Sequence, residues 1–196
     1  MKDKQSLPPG GEKYFIYVGN AYPHKNLNRL IEAMVLLNKE VETEVSLIIV
    51  SSRNIFTQRI KKSIDSLNAD KIITLLSSVS DNQLVGLYRK SVGFVFPSFS
   101  EGFGLPGIEA MREGTLVLAS DIPVFKEIYK DNAIYFNPLD FSSIEKTMLN
   151  VLKMDANLRA EKIEKGKDFV KRYSWTKMAE ETLRIYASCN SLRPGK

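Results

Sequence analysis

One cysteine, one histidine and one tryptophan are all that 196 residues contain of these types, and the scarcity excludes several kinds of chemistry. Cys189 has no partner for an internal disulfide, so nothing in the chain demands an oxidising compartment, and the cytoplasm is the expected one. With His24 as the sole imidazole there are too few soft ligands for a zinc site of the usual kind. Any metal would have to be held by carboxylates, and none is expected. No apolar run approaches the ~18 residues of a membrane span. Residues 1–10 are polar, carry Pro8 and Pro9, and lack the apolar stretch of a secretory signal; residues 1–12 read as a flexible leader.

What is present is ordinary for a globular domain: 43% apolar and 26% charged residues, in a length that closes one sizeable core. The expectation is one domain over residues 13–196, with helices in 141–188 as a tail. The net charge of +5 invites an anionic partner. Yet the C-terminal lysines interleave with acids, as in Glu161, Lys162, Glu164 and Lys165, which marks a solvated face and not a nucleic-acid platform.

From Lys13 onward, short apolar runs rich in β-branched and aromatic residues alternate with segments of helical period, the signature of parallel strands joined by crossover helices. Strands are predicted at residues 14–18, 45–50, 72–75, 92–96, 115–119 and 133–136. Leu27, Leu30, Ile31, Met34 and Leu37 form one apolar stripe of a helix that Asn26 is placed to cap. Further helices are predicted at 55–67, at 82–89 with Asp81 as cap, and at 106–112 with Pro106 in the first position. Beyond Pro138 three more follow, at 142–153, 156–172 and 174–188. The fold class is therefore α/β, a single Rossmann-like doubly wound parallel sheet with a helical tail.

Ligands of such sheets bind outside the carboxyl ends of the strands, and here small, hydroxylated and charged residues gather in those loops. The loop after the fourth strand is the most telling. Gly102 and Gly104 remove side chains that would keep a ligand off the backbone, and a helix begins at Pro106, so free amides face an incoming anion. Glu109, in the first turn, should lean back toward that ligand. An acid there also stabilises a helix N-terminus with no ligand at all. Carboxylates beside a phosphate site make sense only if aimed at hydroxyl groups, which a ribose and a sugar supply. Gly102, Gly104 and Gly107 also spell the dinucleotide G-x-G-x-x-G pattern, with Asp121 near the ribose-acid spacing. Five residues intervene between Phe96 and the first of these glycines, however, so that match is rejected on geometry.

Residues 94–140, with Pro97, Ser98, Glu101, Gly102, Phe103, Gly104, Leu105, Pro106, Glu109, Ala110, Met111, Gly114, Ser120 and Asp121, resemble the donor domain of family 4 glycosyltransferases, retaining enzymes of the GT-B fold. Seven residues separate Glu101 from Glu109, matching that family's E-x7-E element. Agreement extends to Gly19, Pro23, Lys25 and Asn26, to Val79, Ser80, Asp81, Leu84 and Tyr88, and to Ser174, Trp175 and Tyr186. The resemblance implies that Glu101 contacts hydroxyls of the donor sugar and Glu109 the ribose. It likewise implies that amides of Phe103, Gly104 and Leu105, beside Gly102, hold the distal phosphate. Lys25 would neutralise the departing diphosphate, Gly19 and Asn20 would border the phosphates, and Ser78 and Val79 would meet the base through backbone groups. No metal is needed.

Two departures stand out. Asn20 occupies a position where the family often has arginine, leaving Arg53 or His24 to compensate, and Ser51 and Ser52 stand where a glycine is common. The acceptor-binding half of a GT-B enzyme is absent, so an excised domain, or a short protein needing a separate partner, is expected, with its last helix packed back or exposing apolar surface. The resemblance thus implies a domain that binds a UDP-, GDP- or ADP-sugar for transfer of a mannose- or glucose-type hexose to a glycan or lipid-linked acceptor. Peripheral membrane contact would belong to the complete enzyme. The alternatives are the C-terminal half of a sugar-nucleotide epimerase or phosphorylase, or a non-catalytic α/β module.

Overall fold

Six short apolar runs become six parallel strands: β1 (Lys13–Val18), β2 (Val45–Val50), β3 (Ile73–Leu76), β4 (Gly93–Phe96), β5 (Val117–Ser120) and β6 (Ala133–Phe136). The computed structural model describes residues 13–191; the expected leader and the side chain of Cys189 lie outside what is described. The strand order is β3-β2-β1-β4-β5-β6, with every pairing parallel. This is the doubly wound order, in which the chain starts in the middle, builds to one edge, and then returns to build the other. The reversal falls between β1 and β4, so the loops leaving those two strands flank the crevice.

Helices cover both faces. α1 (Leu27–Glu40) buries Leu27, Leu30, Ile31, Met34 and Leu37, the stripe its sequence period marks out, and packs against α2 (Ile55–Ser66) and α6 (Phe141–Leu152). On the sheet's far side α4 (Leu105–Arg112) packs against α7 (Ala156–Val170). α3 (Asp81–Lys90) and α5 (Pro123–Tyr129) complete the crossovers, and α8 (Trp175–Ser191) ends the described chain.

Several local expectations need correction. Asp81 does not cap α3; Ser80 does, its hydroxyl accepting from the Gln83 amide at 3.3 Å while Gln83 Oε1 accepts from the Ser80 amide at 2.8 Å, a reciprocal capping box. Helix α4 starts one residue early, at Leu105 with Gly104 as cap, so Pro106 sits second, where its missing amide is equally harmless. The seven-residue helix α5 was not expected at all. Helix α8 exposes Trp175, Met178, Leu183, Ile185 and Tyr186, the outcome in which the last helix does not pack back.

Candidate functional site

Two buried tyrosines underpin the crevice. Tyr17, on β1, donates its phenol to the Asn20 carbonyl at 2.7 Å, and Tyr129, on α5, donates to the Gly104 carbonyl at 2.6 Å. Burial, reinforced by the nearby Glu101 carboxylate, pushes both phenol pKa values far up, so both remain donors. Phe96 and Phe125 fill the space between them, with Phe125 stacked on Tyr129 at 5.1 Å and packed on Phe96 at 4.8 Å. The two loops therefore rest on an aromatic floor that fixes their height above the sheet.

On that floor the structure brings Lys25 and Glu101 together across 76 residues of chain. Lys25 Nζ lies 2.5 Å from Glu101 Oε1, with the side chains only 12% and 11% exposed. The same oxygen accepts from Ser98 Oγ at 2.7 Å, and Ser98 is wholly buried. Lys25 Nζ also sits 5.8 Å from the centre of the Phe96 ring. An ion pair this sheltered persists only when both charges are matched, since uncovering either one alone costs several kcal/mol.

Asn26 is not the side-chain cap expected of it. Its backbone is left-handed, at φ 58° and ψ 32°, and its side chain accepts from no first-turn amide of α1. Nδ2 donates to the Pro97 carbonyl at 2.9 Å and to the Pro138 carbonyl at 2.8 Å. One buried carboxamide thus joins the loops that follow β1, β4 and β6.

Beside the ion pair, the amides of Gly102, Phe103, Gly104 and Leu105 have no acceptor among the described residues, and no side chain caps α4. The two loop glycines serve different ends. A Cβ on Gly102 would meet open space, whereas Gly104 has φ 94° and a Cβ there would stand 2.2 Å from the Tyr129 hydroxyl. Gly104 is therefore required by the turn and its floor, and not chiefly by close approach of a ligand. Phe103 and Leu105 are exposed; Phe103 meets Tyr173 edge-to-face at 5.8 Å.

Glu109 lines a groove of about 400 Å³ together with Phe103, Leu105, Arg112, Tyr173 and Trp175. Partial desolvation, and secondarily the Asp81 carboxylate, raises its pKa above the ordinary value. Asp81 opens α3, just beyond Ser78 and Val79, whose amides also have no acceptor among the described residues. Gly19 and Asn20 contribute less: the Gly19 amide is taken by the Val50 carbonyl at 3.0 Å and the Asn20 carboxamide oxygen by the Tyr22 amide at 3.3 Å. Arg53 donates to Ser77 Oγ at 3.1 Å, and the His24 ring is exposed beside Tyr22. Among the described residues no group of three or more His, Cys, Asp or Glu could hold a metal ion.

Sequence reasoning missed Tyr129, and it named Ser98 and Asn26 without the parts they play in the structure. Ser98 carried a signal, a serine three residues before the acid; Tyr129 did not, because only the fold brings it under Gly104.

Comparison with known proteins gives concordant results. A family model described as glycosyl transferases group 1 matches residues 1–169. The O-antigen chain mannosyltransferase RfbU of Salmonella typhimurium is 36% identical over 170 residues, covering 86% of this chain and 45% of that protein. The O-antigen chain mannosyltransferase B of Escherichia coli is 31% identical over 173 residues, 88% of this chain and 45% of its own length. The chain therefore spans about half the length of these curated relatives. Among solved structures, sucrose-phosphate synthase from Thermosynechococcus elongatus superposes with a TM-score of 0.82 at 23% identity, over 94% of this chain and 47% of that one. A glycosyltransferase from Rickettsia africae does so with a TM-score of 0.77 at 21% identity, over 90% and 47%.

Proposed function

The chain belongs to the glycosyl transferases group 1 family, as one Rossmann-like half of a GT-B architecture, and from that premise we propose that it binds the nucleotide-sugar donor of a retaining hexosyltransferase. One observation carries the proposal: four consecutive amides without acceptors among the described residues, at the start of an eight-residue helix, stand beside a sheltered lysine–glutamate pair. Free amides at a helix start attract a phosphate, and a lysine nearby neutralises the charge that grows on a departing diphosphate as the glycosidic bond breaks. Glu101 would accept hydroxyls of the sugar and Glu109 those of the ribose, with Ser78 and Val79 at the base.

Mannose is the favoured sugar, because the two relatives above 30% identity named here are O-antigen chain mannosyltransferases. The acceptor would then be a growing glycan or its lipid-linked form. Family membership leaves the epimerase half and the non-catalytic module without support. The length by which the relatives exceed this chain, together with the bare apolar stripe of α8, favours a second, acceptor-binding domain seated against α8. Among the described residues no helix is long and apolar enough to cross a membrane. Action in the cytoplasm, with peripheral membrane contact through the complete enzyme, fits the proposal.

The test is a calorimetric and thermal-shift screen of UDP, GDP and ADP, followed by the matching sugar nucleotides. Binding should raise the melting temperature by mass action, and Lys25→Ala should weaken it without unfolding the chain. No response to any nucleoside diphosphate would overturn the proposal.

A further inference from the structure

Asn26 combines two local choices that are individually unfavourable. A residue other than glycine in the left-handed region is uncommon, although asparagine tolerates it best. An asparagine in front of a helix would normally accept from the first-turn amides, and this one leaves them uncapped. Both choices serve to place one buried carboxamide between the carbonyls of Pro97 and Pro138, with both of its N–H groups used. Its oxygen accepts from Arg29 Nη1 at 3.3 Å, and that guanidinium lies 5.3 Å from the centre of the Phe99 ring. A second tie runs parallel, from the Phe99 amide to the His24 carbonyl at 2.8 Å.

These ties bracket the reacting groups. His24 and Asn26 flank Lys25, while Pro97 and Phe99 flank Ser98, whose hydroxyl holds Glu101. Lysine has a long, flexible side chain, so the place its ammonium can reach is set by where its backbone is pinned. We infer that Asn26 is a positioning residue, which fixes the Lys25 backbone against the Pro97–Glu101 loop so that the ammonium meets a donor's diphosphate while Glu101 meets its sugar. The inference rests on the donor-binding function proposed above.

The experiment uses whichever of UDP, GDP or ADP binds the wild-type chain, with dissociation constants measured calorimetrically below the melting temperature of each variant. Asn26→Gly keeps the left-handed backbone available and removes the carboxamide, and it should weaken binding by about tenfold. Lys25→Met should weaken it by about as much, and Asn26→Gly should add almost nothing in the Lys25→Met background, because the staple then has no charge to place. Wild-type affinity in Asn26→Gly, or an equal loss with and without Lys25, would overturn the inference while leaving donor binding intact. Lys25→Met binding like wild type would instead refute the role given to Lys25. Should Asn26→Gly not fold, the wild-type chain decides the matter by NMR. The Asn26 side-chain N–H groups should stay protected from exchange when nucleotide is bound, and their release on binding would overturn the inference.

Discussion

Gly104→Ala tests the floor of the site most sharply, because two separable strains meet at one added methyl group. The backbone there has φ 94°, which costs an alanine about 1–2 kcal/mol. The methyl would also stand 2.2 Å from the Tyr129 hydroxyl, 2.9 Å from Phe125 and 3.1 Å from Tyr129 Cζ, all of them buried. Overpacking of that sort costs about 1–3 kcal/mol, for a total of about 2–5 kcal/mol. Tyr129→Phe by itself removes the hydrogen bond to the Gly104 carbonyl and should cost about 1–3 kcal/mol. Combined, the two changes should cost less than their sum, since the worst overlap involves the hydroxyl that phenylalanine lacks. A favourable coupling of about 1–3 kcal/mol is expected. Gly107 supplies the control: a methyl there would lie 2.5 Å from Cζ as well as 2.4 Å from the hydroxyl, so Tyr129→Phe should rescue Gly107→Ala poorly. Urea unfolding of the wild type, the three single variants and the two doubles measures each term. Costs at Gly104 and Tyr129 that add to within about 0.5 kcal/mol would refute the assignment of Tyr129 as the support of the turn.

Three further outcomes are expected. Because the Glu109 pKa is raised, its carboxylate is protonated at a higher pH than an ordinary one, so nucleotide affinity should fall earlier on acidification in wild type than in Glu109→Gln. The ratio of their dissociation constants removes the ligand's own titration, and a pH-independent ratio would contradict the ribose contact. Glu145, on α6, is almost fully buried with Oε1 unpartnered, and burial, with Glu40 second, raises its pKa. A carboxyl raised on folding favours the folded chain least when ionised, so stability declines as pH rises through the unfolded and then the folded pKa; the melting-temperature advantage of Glu145→Gln should grow over that window and then level off. Trp175 is 68% exposed and is the only tryptophan, so its fluorescence should be that of a wet indole and fully open to acrylamide; a blue-shifted, protected signal would mean that α8 is covered.

The sheet was legible because strands covered on both faces read as nearly continuous apolar runs, as β1 does from Tyr14 to Val18, and the α1 stripe was legible because burial there follows the helical period. Boundaries slipped where a polar group works outside the ladder. Thr115, expected to open β5, instead gives its hydroxyl to the Tyr88 carbonyl at 2.7 Å. The Ser80–Gln83 spacing carried the capping box, and Asp81 one place later competed for the same assignment. Glu101 and Glu109 could be paired as candidates from the chain because their spacing is local. The Lys25–Glu101 pair and the Asn26 staple could not be read from it, since each joins residues at least 71 positions apart that only the sheet topology brings together. Asn26 misled for a physical reason: the residue type that caps helices well is also the one that tolerates a left-handed backbone and offers two donors at once.

Lys25 and Glu101 neutralise each other, and on the proposed function this constrains how a donor would enter and how its product would depart. Lys25 and Glu101 are matched to each other at 2.5 Å under heavy shelter, so a diphosphate that drew Lys25 away would leave Glu101 unpaired beside a second set of negative oxygens. An intact donor of the proposed kind would avoid that cost, because its sugar would bring hydroxyl donors to Glu101 while Ser98 keeps hold of Oε1. The proposed exchange would be one of partners, lysine passing from carboxylate to phosphate and the carboxylate from lysine to sugar. After the proposed transfer the sugar would be gone and the diphosphate would remain, the combination that would leave Glu101 unsatisfied. On the proposed function, re-formation of the Lys25–Glu101 pair would then favour release of the product.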